Sequence, residues 1–208
     1  MKKLLFLCFY VFTATLSSYA QGVEITPFAG YTFGDKFPIT GGEAHITGGL
    51  NYGGTLSFLA GEEFALELTY SRVDANGSAH SVYLEADQND KSGPVNMNYF
   101  FVGAKKLFPL SDEVSLFMGL DLGGVFLLAP NNDFKSATTF AAGVNGGVKY
   151  FFNDRIGLRG QASLNFPVTS MNASYWYNPA NGNSAGTYSN VRILQFGFTA
   201  GLIYKISW

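Results

Sequence analysis

From Leu194 onward, Leu194, Phe196, Phe198, Ala200, Leu202, Tyr204, Ile206 and Trp208 alternate with Gln195, Gly197, Thr199, Gly201, Lys205 and Ser207. A period of two held this long specifies a β-strand with one apolar face and one polar or small face. Val114, Leu116, Met118, Leu120 and Leu122 alternate in the same way with Ser115, Gly119, Asp121 and Gly123, as do Ile156, Leu158, Ala162, Leu164 and Phe166 with Arg159, Gln161, Ser163 and Asn165. The rest of the chain, read on this rule, gives about eight strands near 23–34, 47–59, 64–73, 96–107, 114–127, 138–151, 156–167 and 191–208. Each reaches the roughly 9 to 11 residues that a tilted membrane strand requires.

The connections alternate in length. Ala60–Glu63, Phe108–Glu113 and Phe152–Arg155 are short and turn-like, whereas 35–46, 74–95, 128–137 and 168–190 are long, polar and rich in Gly and Asn. Short turns at one end and long loops at the other predict an all-β, closed, antiparallel up-and-down transmembrane β-barrel with periplasmic turns and extracellular loops. Closure follows from the solvent, because backbone N–H and C=O groups in hydrocarbon have no water to bond and a spanning sheet can have no edges. Aromatics stand where two interfacial girdles would fall: Tyr31, Phe33, Tyr52, Tyr70, Phe126, Phe140 and Phe166 at the long-loop ends, and Phe58, Phe64, Tyr150, Tyr204 and Trp208 at the other. A soluble β-sandwich or lipocalin-like barrel would also alternate, but would turn its apolar face inward. Here the apolar face is almost uncharged, and the polar face carries Gly, Ser, Thr and Asn with charges at intervals, as a small polar lumen would. Pro27 lies inside the first strand and cannot donate to a ladder, which predicts a bulge there.

The first residues set the compartment. Met1-Lys2-Lys3, an apolar run from Leu4 to Leu16, and small residues at Ser18 and Ala20 form a signal peptide over 1–20, with cleavage before Gln21 and one barrel domain over 21–208. Cys8, the single cysteine, lies in that run, so the exported part has no thiol for a disulfide or a thiolate metal site. Without Lys2 and Lys3 the 13 basic residues fall to 11 against 15 acidic ones, which gives no electrostatic basis for nucleic acid. Only 13% of residues are charged while 16% are aromatic, unlike a water-soluble domain where about a quarter are charged.

Thr199-x-Gly201-x-x-Tyr204-x-Ile206, followed by Trp208, resembles the assembly signal that barrel-insertion machinery reads. With the start Val23-Glu24-Ile25-Thr26-Pro27-Phe28-Ala29-Gly30-Tyr31 and the segment Val102-Gly103-Ala104-Lys105-Lys106, the chain is similar to the small eight-stranded outer-membrane barrels of the OmpA and OmpX type, particularly the porin-like barrel proteins of Bacteroidetes. The resemblance implies outer-membrane lipid and the barrel assembly machinery as partners. No peptidoglycan-binding domain is expected after the barrel, a departure from the two-domain members.

Turning the polar face inward places Glu24, Glu67, Lys149, Arg159 and Lys205 near the short-turn end of the lumen, with Asp121 a few residues higher. Glu24 and Lys205 meet where the first and last strands pair, and Lys149 faces Arg159 across one hairpin. Such a set is either a charge-balanced plug, since buried charges must be paired, or a gate in which Arg159 switches between Glu67 and Asp121. His45 and His80 both fall in loops. His80-Ser81 near Glu85 supplies the residue types of a hydrolase with nothing to fix them, and no metal cluster or cofactor motif is present. Tyr175, Trp176, Tyr177 and Asn178 in the last loop offer aromatic faces beside amides, the residue types that bind an extracellular protein or glycan; the loop at 74–94 is a second surface. The expectation is a non-enzymatic outer-membrane barrel with a structural or surface-recognition role. A narrow porin-like channel is the alternative, and a lipid-modifying enzyme the third reading.

Overall fold

The computed structural model describes residues 20–39, 42–81, 90–128, 137–167 and 194–207. Their strands are β1 (Ala20–Thr32), β2 (Asp35–Ile39), β3 (Gly42–Ile46), β4 (Gly49–Ala60), β5 (Phe64–Ser81), β6 (Asp90–Pro109), β7 (Val114–Leu128), β8 (Ala137–Phe151), β9 (Ile156–Pro167) and β10 (Gln195–Ser207). Eight of them form one antiparallel sheet in the order β5-β4-β1-β10-β9-β8-β7-β6, and β6 returns to pair with β5. The sheet closes into a barrel with no edge in its wall.

Register fixes the barrel's shape. Following paired residues around the wall from Gly22, the path runs through Leu59, Ala65, Lys105, Gly119, Asn145, Ser163 and Gly197 and returns to β1 at Thr32, ten residues above its start. That stagger over eight strands, with a rise of about 3.4 Å per residue and a spacing of about 4.8 Å, tilts the strands by about 40°. A tilt of this size carries strands of 12 to 20 residues across a hydrocarbon layer and leaves an interior that side chains fill.

The faces separate by parity. Leu68, Val102, Leu120 and Leu202 point outward and are 48%, 58%, 63% and 58% exposed, while Glu67, Phe101, Asp121 and Ile203, one position away on the same strands, are buried. Aromatic rings edge this apolar band. Tyr31, Phe33, Phe196 and Phe198 make a ring cluster at the long-loop side of β1 and β10, and Tyr70, Phe100 and Phe126 make another on β5–β7. Trp208 lies outside the described residues. At the short-turn side Gly61 takes a positive φ of 73° in the turn between β4 and β5, where a side chain would be strained.

Three expectations need correction. The segment 35–46 is not a loop: it forms the β2–β3 hairpin, which continues β1 and β4 upward after interruptions at Phe33-Gly34 and Thr47-Gly48 and pairs through β3 with Gly77–Ser81 of β5. The loop expected at 74–95 is largely strand, because β5 reaches Ser81 and β6 begins at Asp90. Alternation is present there, Val73, Ala75 and Gly77 against Asp74, Asn76 and Ser78, but its inward residues are too small to read as an apolar face. Pro27 makes no bulge. It pairs with Gly54 on the β4 side, and on the β10 side the ladder omits Thr26 and Pro27 while keeping the same register above and below. A proline in a closed wall thus removes rungs without shifting the strand.

If the outward band faces hydrocarbon, Leu120→Arg costs about 2–4 kcal/mol of barrel stability, read from urea titration of protein refolded into lipid vesicles. An unchanged midpoint would contradict that placement.

Candidate functional site

The lumen is layered. At the short-turn end Leu59, Ala65, Leu107 and Phe117 form a buried apolar cluster. Above and among these lie six buried charged residues, Glu24, Glu67, Lys105, Asp121, Lys149 and Arg159. Three acids meet three bases, so the belt is neutral, as desolvated charges require.

Arg159 on β9 is its best-fixed member. Its Nη1 and Nη2 donate to Glu67 Oε1 and Oε2 at 2.6 and 2.9 Å, Nη2 also donates to Gln161 Oε1 at 2.6 Å, and the guanidinium lies 4.2 Å from the centroid of the Phe117 ring. Three strands lie between β5 and β9 either way round, so this bidentate pair spans the full width of the lumen. Lys149 Nζ reaches across to Glu24 Oε2 at 2.5 Å. Lys105 bonds Asp121 and lies 3.8 Å from Glu67 Oε2, and Asn145 donates to the other Asp121 oxygen. Higher in the barrel, Tyr99 on β6 donates to Gln195 on β10, a second full-width tie. Glycines make room for the belt. A Cβ at Gly103 would fall on Asp121 Oδ1 and 3.0 Å from Lys105 Nζ, and one at Gly147 would fall 2.7 Å from the Phe117 ring. Among the described residues, Thr26 Oγ1 and Asn145 Oδ1 are buried without a hydrogen-bond partner, the setting in which proteins hold internal water.

The partners differ in part from the sequence expectation. Lys149 and Arg159 face each other across the β8–β9 hairpin. Glu24 and Lys205 are register neighbours on β1 and β10, but Glu24 is taken by Lys149, and Lys205 sits half-buried with Nζ 5.8 Å from the Phe151 ring centroid. The third base is Lys105, which sequence reasoning missed because Tyr99, Phe100, Phe101 and Val102 run consecutively and hide the phase of β6. The phase was recoverable from its lower end, where Ala104 and Phe108 are exposed and Lys105 and Leu107 buried. Its neighbour Lys106 points outward to Glu63, a bond that holds the Glu63 carboxyl below the usual carboxylate range.

Of the assembly-signal residues, Thr199 and Gly201 lie on the inward face of β10 and Tyr204 and Ile206 on the outward face. His45 is half-buried on β3 opposite Ser78. His80 lies on β5 opposite Glu43 and Asp90. Tyr175, Trp176, Tyr177, Asn178 and Glu85 fall outside the described residues.

Solved structures share this architecture. Neisserial surface protein A is 12% identical over 89% of this chain and 97% of that one, with a TM-score of 0.55. The outer membrane protein OprG from Pseudomonas aeruginosa is 12% identical over 91% of this chain and 98% of that one, with a TM-score of 0.61. The fold is that of a small outer-membrane β-barrel. At 12% identity the likeness speaks to architecture alone. No protein-family model matches the chain, and no curated protein is similar to it in sequence.

Removing one partner of a buried pair strands the other, so Arg159→Met costs about 3–5 kcal/mol, and the double variant with Glu67→Met recovers most of it. Urea midpoints in vesicles measure both, and a single variant indistinguishable from wild type would mean the tie does not hold the barrel. Glu63→Gln at the solvated rim leaves the midpoint unchanged.

Proposed function

We propose that the chain is a non-enzymatic protein of the bacterial outer membrane that acts through its long-loop side, in a structural or surface-recognition role. The filled lumen carries this reading. A path through the barrel would have to cross the apolar cluster and then a neutral belt in which every charge already has an opposite partner. The gate imagined from sequence needs Arg159 to leave Glu67 for Asp121, but Asp121 is occupied by Lys105 and Asn145. Neither move gains a contact. The catalytic alternative rested on His80, Ser81 and Glu85, of which Glu85 lies outside the described residues.

The wall above the apolar band supports the recognition role. β2, β3 and the upper parts of β5 and β6 form a four-stranded sheet beyond the last aromatic rings, a rigid base for binding loops. Tyr175, Trp176, Tyr177 and Asn178 are the candidate contacts for an extracellular protein or glycan. Export through a leader removed before Gln21, and insertion by the barrel assembly machinery through Thr199, Gly201, Tyr204, Ile206 and Trp208, belong to the same proposal.

In planar bilayers the purified barrel should be electrically silent. Stable conductance steps lost on Arg159→Ala would replace this reading with the channel. Recognition is tested on a glycan and host-protein array with Trp176→Ala and Tyr177→Ala: binding by wild type that these variants lose supports the role, and absence of binding by a folded wild-type barrel counts against it.

A further inference from the structure

The outward wall changes character at one height, and on β4–β7 the change is abrupt. Tyr70, Phe100 and Phe126 pack in tilted and edge-to-face contact, with centroids 4.9 and 5.6 Å apart, at the top of the apolar band. Immediately above them the same outward face carries Arg72, Asp74 and Asn96, with Tyr52 alongside on β4 and Asn98 buried among them. These groups are pre-ordered. Arg72 Nε donates to Asp74 Oδ1 at 2.8 Å, and Tyr52 donates to Asp74 Oδ2 at 3.2 Å. With its amide oriented as the bonding requires, Asn96 donates to Asp74 Oδ1 and accepts from Arg72 Nη2, both at 3.0 Å. Tyr70 ties the ring layer to this layer by donating to Asn98 Oδ1 at 2.9 Å.

Three features point to one occupant. The cluster lies on the lipid side of the wall, where the neighbouring molecules are lipids. Its height is the boundary between acyl chains and headgroups, as the aromatic edge marks it. Its cation is an arginine held by Asp74 through Nε, which leaves Nη1 without a partner among the described residues; a planar guanidinium so fixed suits the oxygens of a phosphate. The neighbouring sector of the rim, on β1 and β10, carries the ring cluster of Tyr31, Phe33, Phe196 and Phe198 instead.

We infer that β4–β7 form a docking strip for a phosphorylated glycolipid of the outer leaflet. Its phosphate bonds Arg72, its sugar hydroxyls meet Asn96, and its acyl chains lie on the Tyr70–Phe100–Phe126 layer. The inference rests on the outer-membrane reading given above.

Native mass spectrometry of detergent-released full-length protein tests it, after heat-modifiability on a gel has shown that the barrel is folded. A barrel that never forms a heat-modifiable band fails the outer-membrane reading rather than this site. With folded protein, bisphosphorylated lipid A should be retained and fully dephosphorylated lipid A should not. Arg72→Gln should lower retention about tenfold, as expected for loss of one charge-assisted contact. Asn96→Ala supplies a second variant should Arg72→Gln fail to fold. Equal retention of the dephosphorylated lipid, equal competition by phosphatidylglycerol, or displacement by millimolar inorganic phosphate alone would overturn the proposal; these outcomes mean, respectively, acyl contact only, nonspecific annular lipid, and a soluble-anion site.

Discussion

Everything in this barrel depends on the need to pair each backbone N–H and C=O inside a layer that holds no water. The chain meets it with an unbroken ring of ladders whose stagger of ten residues sets the tilt, the diameter and the height at which every side chain stands. Once that stagger is fixed, alternate residues have no choice of face. Glu67 faces inward because Leu66 and Leu68 face outward, and Arg159 arrives opposite it because β9 lies halfway around the ring.

The constraint explains why much of the fold was legible. Strands that must be apolar outside and polar inside advertise themselves by strict alternation, and Val114–Leu122 and Leu194–Ile206 do so without ambiguity. Five of the six belt charges were readable as inward because each stands between apolar residues of opposite parity. Lys105 was not, since the aromatic run before it suits either face: Tyr99 and Phe101 fill the lumen while Phe100 and Val102 face outward. Lys205 was misjudged for a different reason. Register brings it beside Glu24, but a side chain at the rim can lie over Phe151 in partial contact with water, and the buried Lys149 has the stronger need of a carboxylate.

Above the membrane the signal fades because the pressure that creates it fades. Beyond Arg72 the outer face no longer meets hydrocarbon, so Asn76 and Ser78 replace leucines, and the inner face is lined by Ala75 and Gly77. The strands persist on hydrogen bonding and pairing with β3, which no periodicity of hydropathy records. Pro27 is the complementary case. Its lost donor reads as a defect in the sequence, yet the closed ladder holds the strand from both sides, and the register passes through unchanged.

The cross-lumen ties also bear on how the molecule comes to be. Glu67 and Arg159 are separated by 92 residues, Tyr99 and Gln195 by 96, and Glu24 and Lys149 by 125. No hairpin, however stable, brings any of these partners together, and until they meet each charge is an uncompensated ion inside a partly formed wall. Such long-range contacts come late and reward the chain only when the ring is nearly complete. The belt therefore penalises half-built barrels more than it favours early ones, and makes the completed cylinder the first state in which the interior is at electrostatic rest.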